Sequence, residues 1–306
     1  MRQFLTLIFG VFFCIQIQAQ TEDSLYLKAR LAYDNGNYTE CVSLCNQGFQ
    51  AQNANNVYYY HLRGRAYFKI DQHNQCLKDF GQAIQLNDTL AGVYNDRGLV
   101  YLLLLDYKLA KKDFEKAVNL DEKNAEFYFN LAYVCTKMIK MDNAIFYYNK
   151  SLEIVPSNYD ALVNRAYVHC VQQHFKLAIQ DYDSALKLQP RSADLYLQRG
   201  MALISLKKYK DAISMFNRAI KFKPGYYHAY YSRGRARLEM KEFKTAILDF
   251  DTAVSNKPDF EIAYFTRGIA KLELNSLLRD AACADLRKAA RLGYGEAYNY
   301  IKKYCE

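Results

Sequence analysis

The side chains in this chain that could carry chemistry are eight cysteines, five histidines and thirty-two carboxylates. A metal centre needs several of them at ligand spacing, yet the histidines at 61, 73, 169, 174 and 228 form no His-x-x-x-His pair, and no Cys-x-x-Cys occurs. A phosphate-cradling loop needs clustered glycines, and there is no such loop. The carboxylates recur at fixed steps instead of converging, as they do on paired or solvated helix faces. No catalytic residue, metal, cofactor or small-molecule substrate is expected, and the chain is not expected to be an enzyme. What remains is thiol chemistry. Cys283 and Cys305 stand near the chain end, where an oxidising compartment would let them join as a structural disulfide.

Such a compartment is what the N-terminus implies. Arg2 supplies a positive charge, Phe4 to Ile17 is an apolar run, and Ile17-Gln18-Ala19 ends on a small residue, the pattern of a cleavable export signal. The run of 14 residues is short of the roughly 20 that span a bilayer. Residues 1-19 are therefore expected to leave as a signal peptide, with periplasm or cell envelope as the destination. Bulky Val11-Phe12-Phe13 before Cys14 argues against lipidation there. Loss of Cys14 leaves an odd number of cysteines, which forbids complete internal pairing.

The elements behind these residues are set by one period. Pro156, Pro190, Pro224 and Pro258 are each 34 residues after the last. The same step links Gly64, Gly98, Ala132, Ala166, Gly200, Gly234 and Gly268, and again Ala110, Ala144, Ala178, Ala212 and Ala246. Around these anchors a unit reads Tyr-x-x-Arg-Gly-x-Ala and then Ala-x-x-Asp-Phe-x-x-Ala. Apolar and small residues three and four apart give two amphipathic helices per unit. Proline stops the second helix, and Ser157 or Asn158, and Ser192, can cap the next.

A 34-residue helix-turn-helix unit with these anchors resembles the tetratricopeptide repeat. The resemblance implies an all-α, right-handed α-α superhelix of about eight repeats, near 22-56, 57-90, 91-124, 125-158, 159-192, 193-226, 227-260 and 261-294, followed by a capping helix over 295-306. The first unit is a residue longer. The last fits only after a two-residue insertion near Asn275-Ser276. Cys41 and Cys76 occupy the small alanine site and Cys45 and Cys135 other core sites. Equivalent sites in stacked repeats lie about 10 Å apart, too far for Cys41 and Cys76 to bridge.

Stacked repeats offer a concave wall of first helices, so the expected function is a scaffold or adaptor that binds a protein segment there. The candidate binding residues are Asn130, Asn164 and Gln198, whose amides could each clamp a peptide bond, with Tyr133, Tyr167, Arg65 and Arg235 beside them. Similar asparagine ladders in the family hold peptide backbones. The family's chaperone-tail clamp is not matched, since His61, Arg65 and Asp96 stand in its place. Tyr94, Tyr128, Tyr196, Tyr230, Tyr264, Phe114, Phe216 and Phe250 follow the period and are expected in the core. Arg63, Arg97, Arg165, Arg199, Arg233 and Arg267 are expected to pair with Asp79, Asp113, Asp181 and Asp249, because the fourth unit lacks both partners, with Leu131 and Tyr147. The sixth breaks the pattern, setting Arg199 against Met215.

The formal net charge of +9, or +8 once Arg2 leaves with the signal, invites a nucleic-acid reading. The lysines are scattered, and RNA-reading helical repeats use units nearer 35 residues. Two readings therefore compete with the groove scaffold: a helical-repeat nucleic-acid binder, and a subunit of a membrane-associated complex that binds another protein through its convex side.

Overall fold

The computed structural model describes residues 24–53 and 55–306. Among them the chain is all-helical, with seventeen α-helices and no strand. The expected export signal over 1–19, its cleavage near Ala19, and Cys14 lie outside the described residues. Among those described, no helix is long and apolar enough to cross a membrane. The chain divides into two compact units, Met1–Pro156 and Ser157–Glu306, and each is an α-α solenoid.

The first unit pairs α1 (24–34) with α2 (Tyr38–Gly48), α3 (Val57–Lys69) with α4 (His73–Leu86), α5 (Ala91–Leu103) with α6 (Tyr107–Leu120), and α7 (Ala125–Lys137) with α8 (Met141–Ile154). The extra residue of the first repeat falls in a π-helical turn, Phe49–Asn53, directly after α2, the usual way a helix absorbs an insertion. Cys41, Cys45, Cys76 and Cys135 are buried with free thiols, as small hydrophobes.

The second unit pairs α9 (Tyr159–Val171) with α10 (Phe175–Leu188), α11 (Ala193–Ser205) with α12 (Tyr209–Phe222), α13 (Tyr227–Glu239) with α14 (Phe243–Asn256), and α15 (Glu261–Leu274) with α16 (Arg279–Arg291). The 3₁₀ turn Ser276–Leu278 takes up the two-residue insertion. Helix α17 (Glu296–Tyr304) then packs on α16, burying Ala297 beside Phe265 and Leu286. A disulfide joins Cys283 to Cys305, with Cα atoms 5.7 Å apart, so the closing helix is covalently tied to the last pair.

Local chemistry explains where these helices begin and end. Asn158 Oδ1 accepts from Ala161 N at 3.0 Å and Ser192 Oγ from Leu195 N at 3.3 Å, capping α9 and α11. Each proline falls two residues past the last residue of α8, α10, α12 or α14. The turn between first and second helix repeats one device, a residue at positive φ followed by a backbone bond reaching back five residues. In the first unit these residues are Asp71, Leu105 and Ile139, at φ 58°, 61° and 60°. In the second they are Gln173, Lys207 and Lys241. Asp106 N, for instance, donates to Tyr101 O at 2.9 Å, which satisfies a carbonyl the helix end would otherwise orphan.

The close approach within a pair rests on Gly64, Gly98, Gly200 and Gly234. A Cβ on any of them would lie 2.4–2.7 Å from Cε1 of Phe80, Phe114, Phe216 or Phe250, respectively. Where the period substitutes Ala132 and Ala166, the opposing ring is Tyr148 or Tyr182, both buried. Their hydroxyls sit 3.5 Å from Thr136 Oγ1 and 4.0 Å from Cys170 Sγ. In these six repeats glycine goes with phenylalanine and alanine with tyrosine, whereas Gly268 of the last repeat faces Leu286.

Candidate functional site

Five repeats carry an internal ion pair that fixes how the first helix meets the second. Arg63 grips Asp79 and Arg97 grips Asp113 in the first unit, at 2.6–2.7 Å through two nitrogens. Arg165–Asp181 and Arg233–Asp249 do the same in the second. The expected pairing therefore forms. Burial pushes the Asp79 carboxyl above the usual carboxylate range, against the pull of Arg63. Arg267 finds Asp285, which the sequence reading passed over because the insertion lengthens the step to 18 residues.

Three of the expected core tyrosines need correction. Tyr128, Tyr230 and Tyr264 are only half-buried. Arg233 lies over Tyr230 at 5.4 Å and Arg267 over Tyr264 at 5.2 Å, so these rings roof the guanidinium three residues on.

The first-helix face differs between the units. In the first, polar groups on neighbouring first helices meet at a separation of 35 residues: His61 Nε2 lies 2.7 Å from Asp96 Oδ2, and Asn130 Nδ2 donates to Asn95 Oδ1 at 2.8 Å. Arg65 joins this cluster, with Nε 3.6 Å from Asp96 and its guanidinium 4.7 Å above the Tyr33 ring. Tyr33, Arg65, Lys69, Asp96, Leu99 and Glu126 border a cleft of about 230 Å³ that holds both signs of charge. Asn130 is only 7% exposed. It was expected to clamp a peptide; instead its amide is enclosed and bonded within the fold. Tyr133 is half-buried, with Lys137 Nζ 5.0 Å from its ring.

In the second unit the same face is open. Tyr167 on α9 is 53% exposed and Met201 on α11 46%. Gln198 is exposed, and no hydrogen bond to it occurs among the described residues. Its counterpart 35 residues earlier is Val163, which has no polar group to offer. Asn164 donates to Asp160 O of its own helix at 2.8 Å, leaving its carbonyl oxygen available. Arg235 on α13 is exposed and 5.9 Å from the Tyr231 ring. Burial pushes the Tyr231 hydroxyl above its usual range, and Arg235 only partly counters this. The face thus projects an aromatic ring, a thioether, a primary amide and a guanidinium from three successive first helices, a mixture suited to gripping side chains and backbone of an extended segment. Among the described residues no group of three or more His, Cys, Asp or Glu could hold a metal ion.

Comparison with known proteins agrees with the repeat fold. The tetratricopeptide repeat family matches residues 57–89, 91–124 and 227–260, and the family described as anaphase-promoting complex, cyclosome, subunit 3 matches 137–219. Among solved structures the chain is similar to the MamA protein, at 27% identity over 59% of this chain and 94% of that one, with a TM-score of 0.51. It shares its fold with a tetratricopeptide repeat protein from Parabacteroides merdae ATCC 43184, at 17% identity over 84% of this chain and 100% of that one, TM-score 0.57. It also shares it with a chain of the APC/C hetero-tetramer Cut9-Hcn1, at 15% identity over 92% and 55%, TM-score 0.54. No curated protein matches the chain.

Proposed function

The chain is a tetratricopeptide-repeat protein, and from that premise we propose that it is a scaffold holding an extended segment of another protein on the first-helix face of residues 157–306. The observation that carries this is the exposure of Tyr167 and Met201, large apolar side chains at the same repeat position on neighbouring first helices, with Gln198 and Arg235 free beside them. In the first unit the equivalent face is closed by its own polar contacts. Apolar anchors ringed by unsatisfied polar groups are what a partner buries.

We place this scaffold in a bacterial cell envelope. Arg2, the apolar run to Ile17 and Ala19 support an export signal, and the Cys283–Cys305 bond suits an oxidising compartment. Cell fractionation with N-terminal sequencing tests that part: a mature chain starting near Gln20 in the envelope fraction is expected, and an intact chain in the cytosol would refute it.

The binding face is tested by placing a photo-crosslinking residue at position 198, which is exposed on the same face, and recovering conjugates from an envelope extract. A defined protein conjugate is expected, lost in Tyr167→Ser plus Met201→Ser and kept in Arg65→Ala. Recovery that ignores the double substitution would move binding off this face. Nucleic acid as the dominant conjugate would overturn the protein-scaffold reading.

A further inference from the structure

The sixth repeat departs from the ion-pair pattern, and its departure opens a cleft. Arg63, Arg97, Arg165, Arg233 and Arg267 each hold an inner aspartate from the second helix of their own repeat. Arg199 meets Met215 there, pointing Nη1 at the thioether sulfur at 2.7 Å, a weak acceptor. Its outer neighbour is Asp183 on α10, with Nε 2.6 Å from Oδ1 but not aligned to hydrogen-bond, and Nη2 donating to Oδ2 at 3.3 Å. Arg267 shows the complete arrangement, holding the outer Asp251 as well as the inner Asp285. Arg199 therefore has the outer carboxylate and lacks the inner one.

Where that carboxylate is missing, α10, α11 and α12 border a cleft of about 540 Å³. Its lining cations are Lys176, Arg199 and Lys208, against the carboxylate of Asp211 in the lining and that of Asp183 on the outer side of Arg199. Leu203, Leu206 and Met215 provide an apolar wall. A positive cleft with one hydrophobic side, built round a guanidinium whose equivalents each grip a carboxylate, fits an anion carried on an apolar body.

We propose that this cleft binds an acidic side chain of a partner protein, whose carboxylate occupies the place of the aspartate that repeat six lacks. The flexible Met215 side chain swings aside, the carboxylate bridges to Arg199 with Lys176 and Lys208 around it, and an adjacent apolar side chain of the partner rests on Leu203 and Leu206. This site uses the meeting of second helices with α11 and is independent of Tyr167 and Met201.

The test is fluorescence anisotropy of the full chain with two probes, fluorescein-labelled Leu-Glu-Leu-amide and its Leu-Gln-Leu-amide analogue. The glutamate probe is expected to bind at least about tenfold more tightly, since only it carries the charge that the cleft recognises. Met215→Asp restores the inner carboxylate; it should abolish glutamate-probe binding while thermal unfolding shows a midpoint no lower than that of the unsubstituted chain. Tyr167→Ser plus Met201→Ser should leave probe binding unchanged, and its loss in that variant would assign the probe to the first-helix face and overturn this site. Equal binding of the two probes, or undiminished binding by a folded Met215→Asp chain, would also overturn it. So would displacement of the glutamate probe by inorganic phosphate at equal concentration, which would mark a free-anion site only.

Discussion

The two units share one frame and both hold Arg–Asp pairs between the helices of a repeat, but only the first also uses polar side chains to bridge neighbouring first helices. In residues 24–156 they close the first-helix face: His61 meets Asp96, Asn95 meets Asn130, and Arg65 leans on Asp96. In residues 157–306 two inner aspartates instead each hold a second cation between the helices of a pair. Asp249 is shared by Arg233 and Arg237, and Asp285 by Arg267 and Lys271. Val163 and buried Leu197 stand where the first unit has His61 and Asn95, so neither position offers a polar group to close the face. The fold therefore does not decide which face is available to a partner; the fifth and sixth residues of each repeat do.

The largest effect this contrast implies lies in the interior. Removing Asp249 strands two guanidiniums beside each other, whereas removing Asp79 strands one. We expect Asp249→Ala to cost about 3–5 kcal/mol, the range for breaking a buried pair, and Asp79→Ala to cost less, as read by urea unfolding. Equal costs would break the claim that Asp249 holds a second cation.

On the first-helix face the contrast reverses. Asn130→Ala leaves the Asn95 oxygen buried without its donor and should cost about 1–3 kcal/mol. Gln198→Ala removes a side chain that bonds to nothing described and should stay within about 0.5 kcal/mol. A costly Gln198→Ala would mean that this amide is structural, and the open face would lose its polar clamp.

Much of this was legible in the residues. Pro156 and its successors set the period. The joint absence of Arg and Asp from the fourth unit, with Leu131 and Tyr147, pointed to the ion pairs, and the positions of Cys283 and Cys305 to the closing disulfide. Asn130 was misread because its partner stands 35 residues away, one step beyond the repeat, so comparing equivalent positions never set it against Asn95. Asp285 was hidden by the insertion at 276–278. The pairing of Ala132 with Tyr148 and Ala166 with Tyr182 was present in the sequence, yet only the geometry showed which ring faces which small residue.

The smallest expected effect concerns what the units share. Six of the eight turns from first to second helix, three in each unit, place a non-glycine residue at φ near +60°, a conformation costing L-residues about 1–2 kcal/mol. Ile139 is the one β-branched residue among the six, and it is 78% exposed, so its side chain repays little of that strain by packing. Ile139→Gly should raise stability by about 0.5–1 kcal/mol, once the larger chain entropy of glycine is subtracted. Lys207→Gly in the second unit should gain less, because lysine lacks branching at Cβ. Paired unfolding curves read both. If Ile139→Gly instead destabilises the chain, its side chain makes a contact that the folded unit needs, and the turns of the two units are not equivalent. If it stabilises as expected, the strained isoleucine is not kept for the fold, and like Leu104 and Leu105 it adds to the unit's exposed apolar surface.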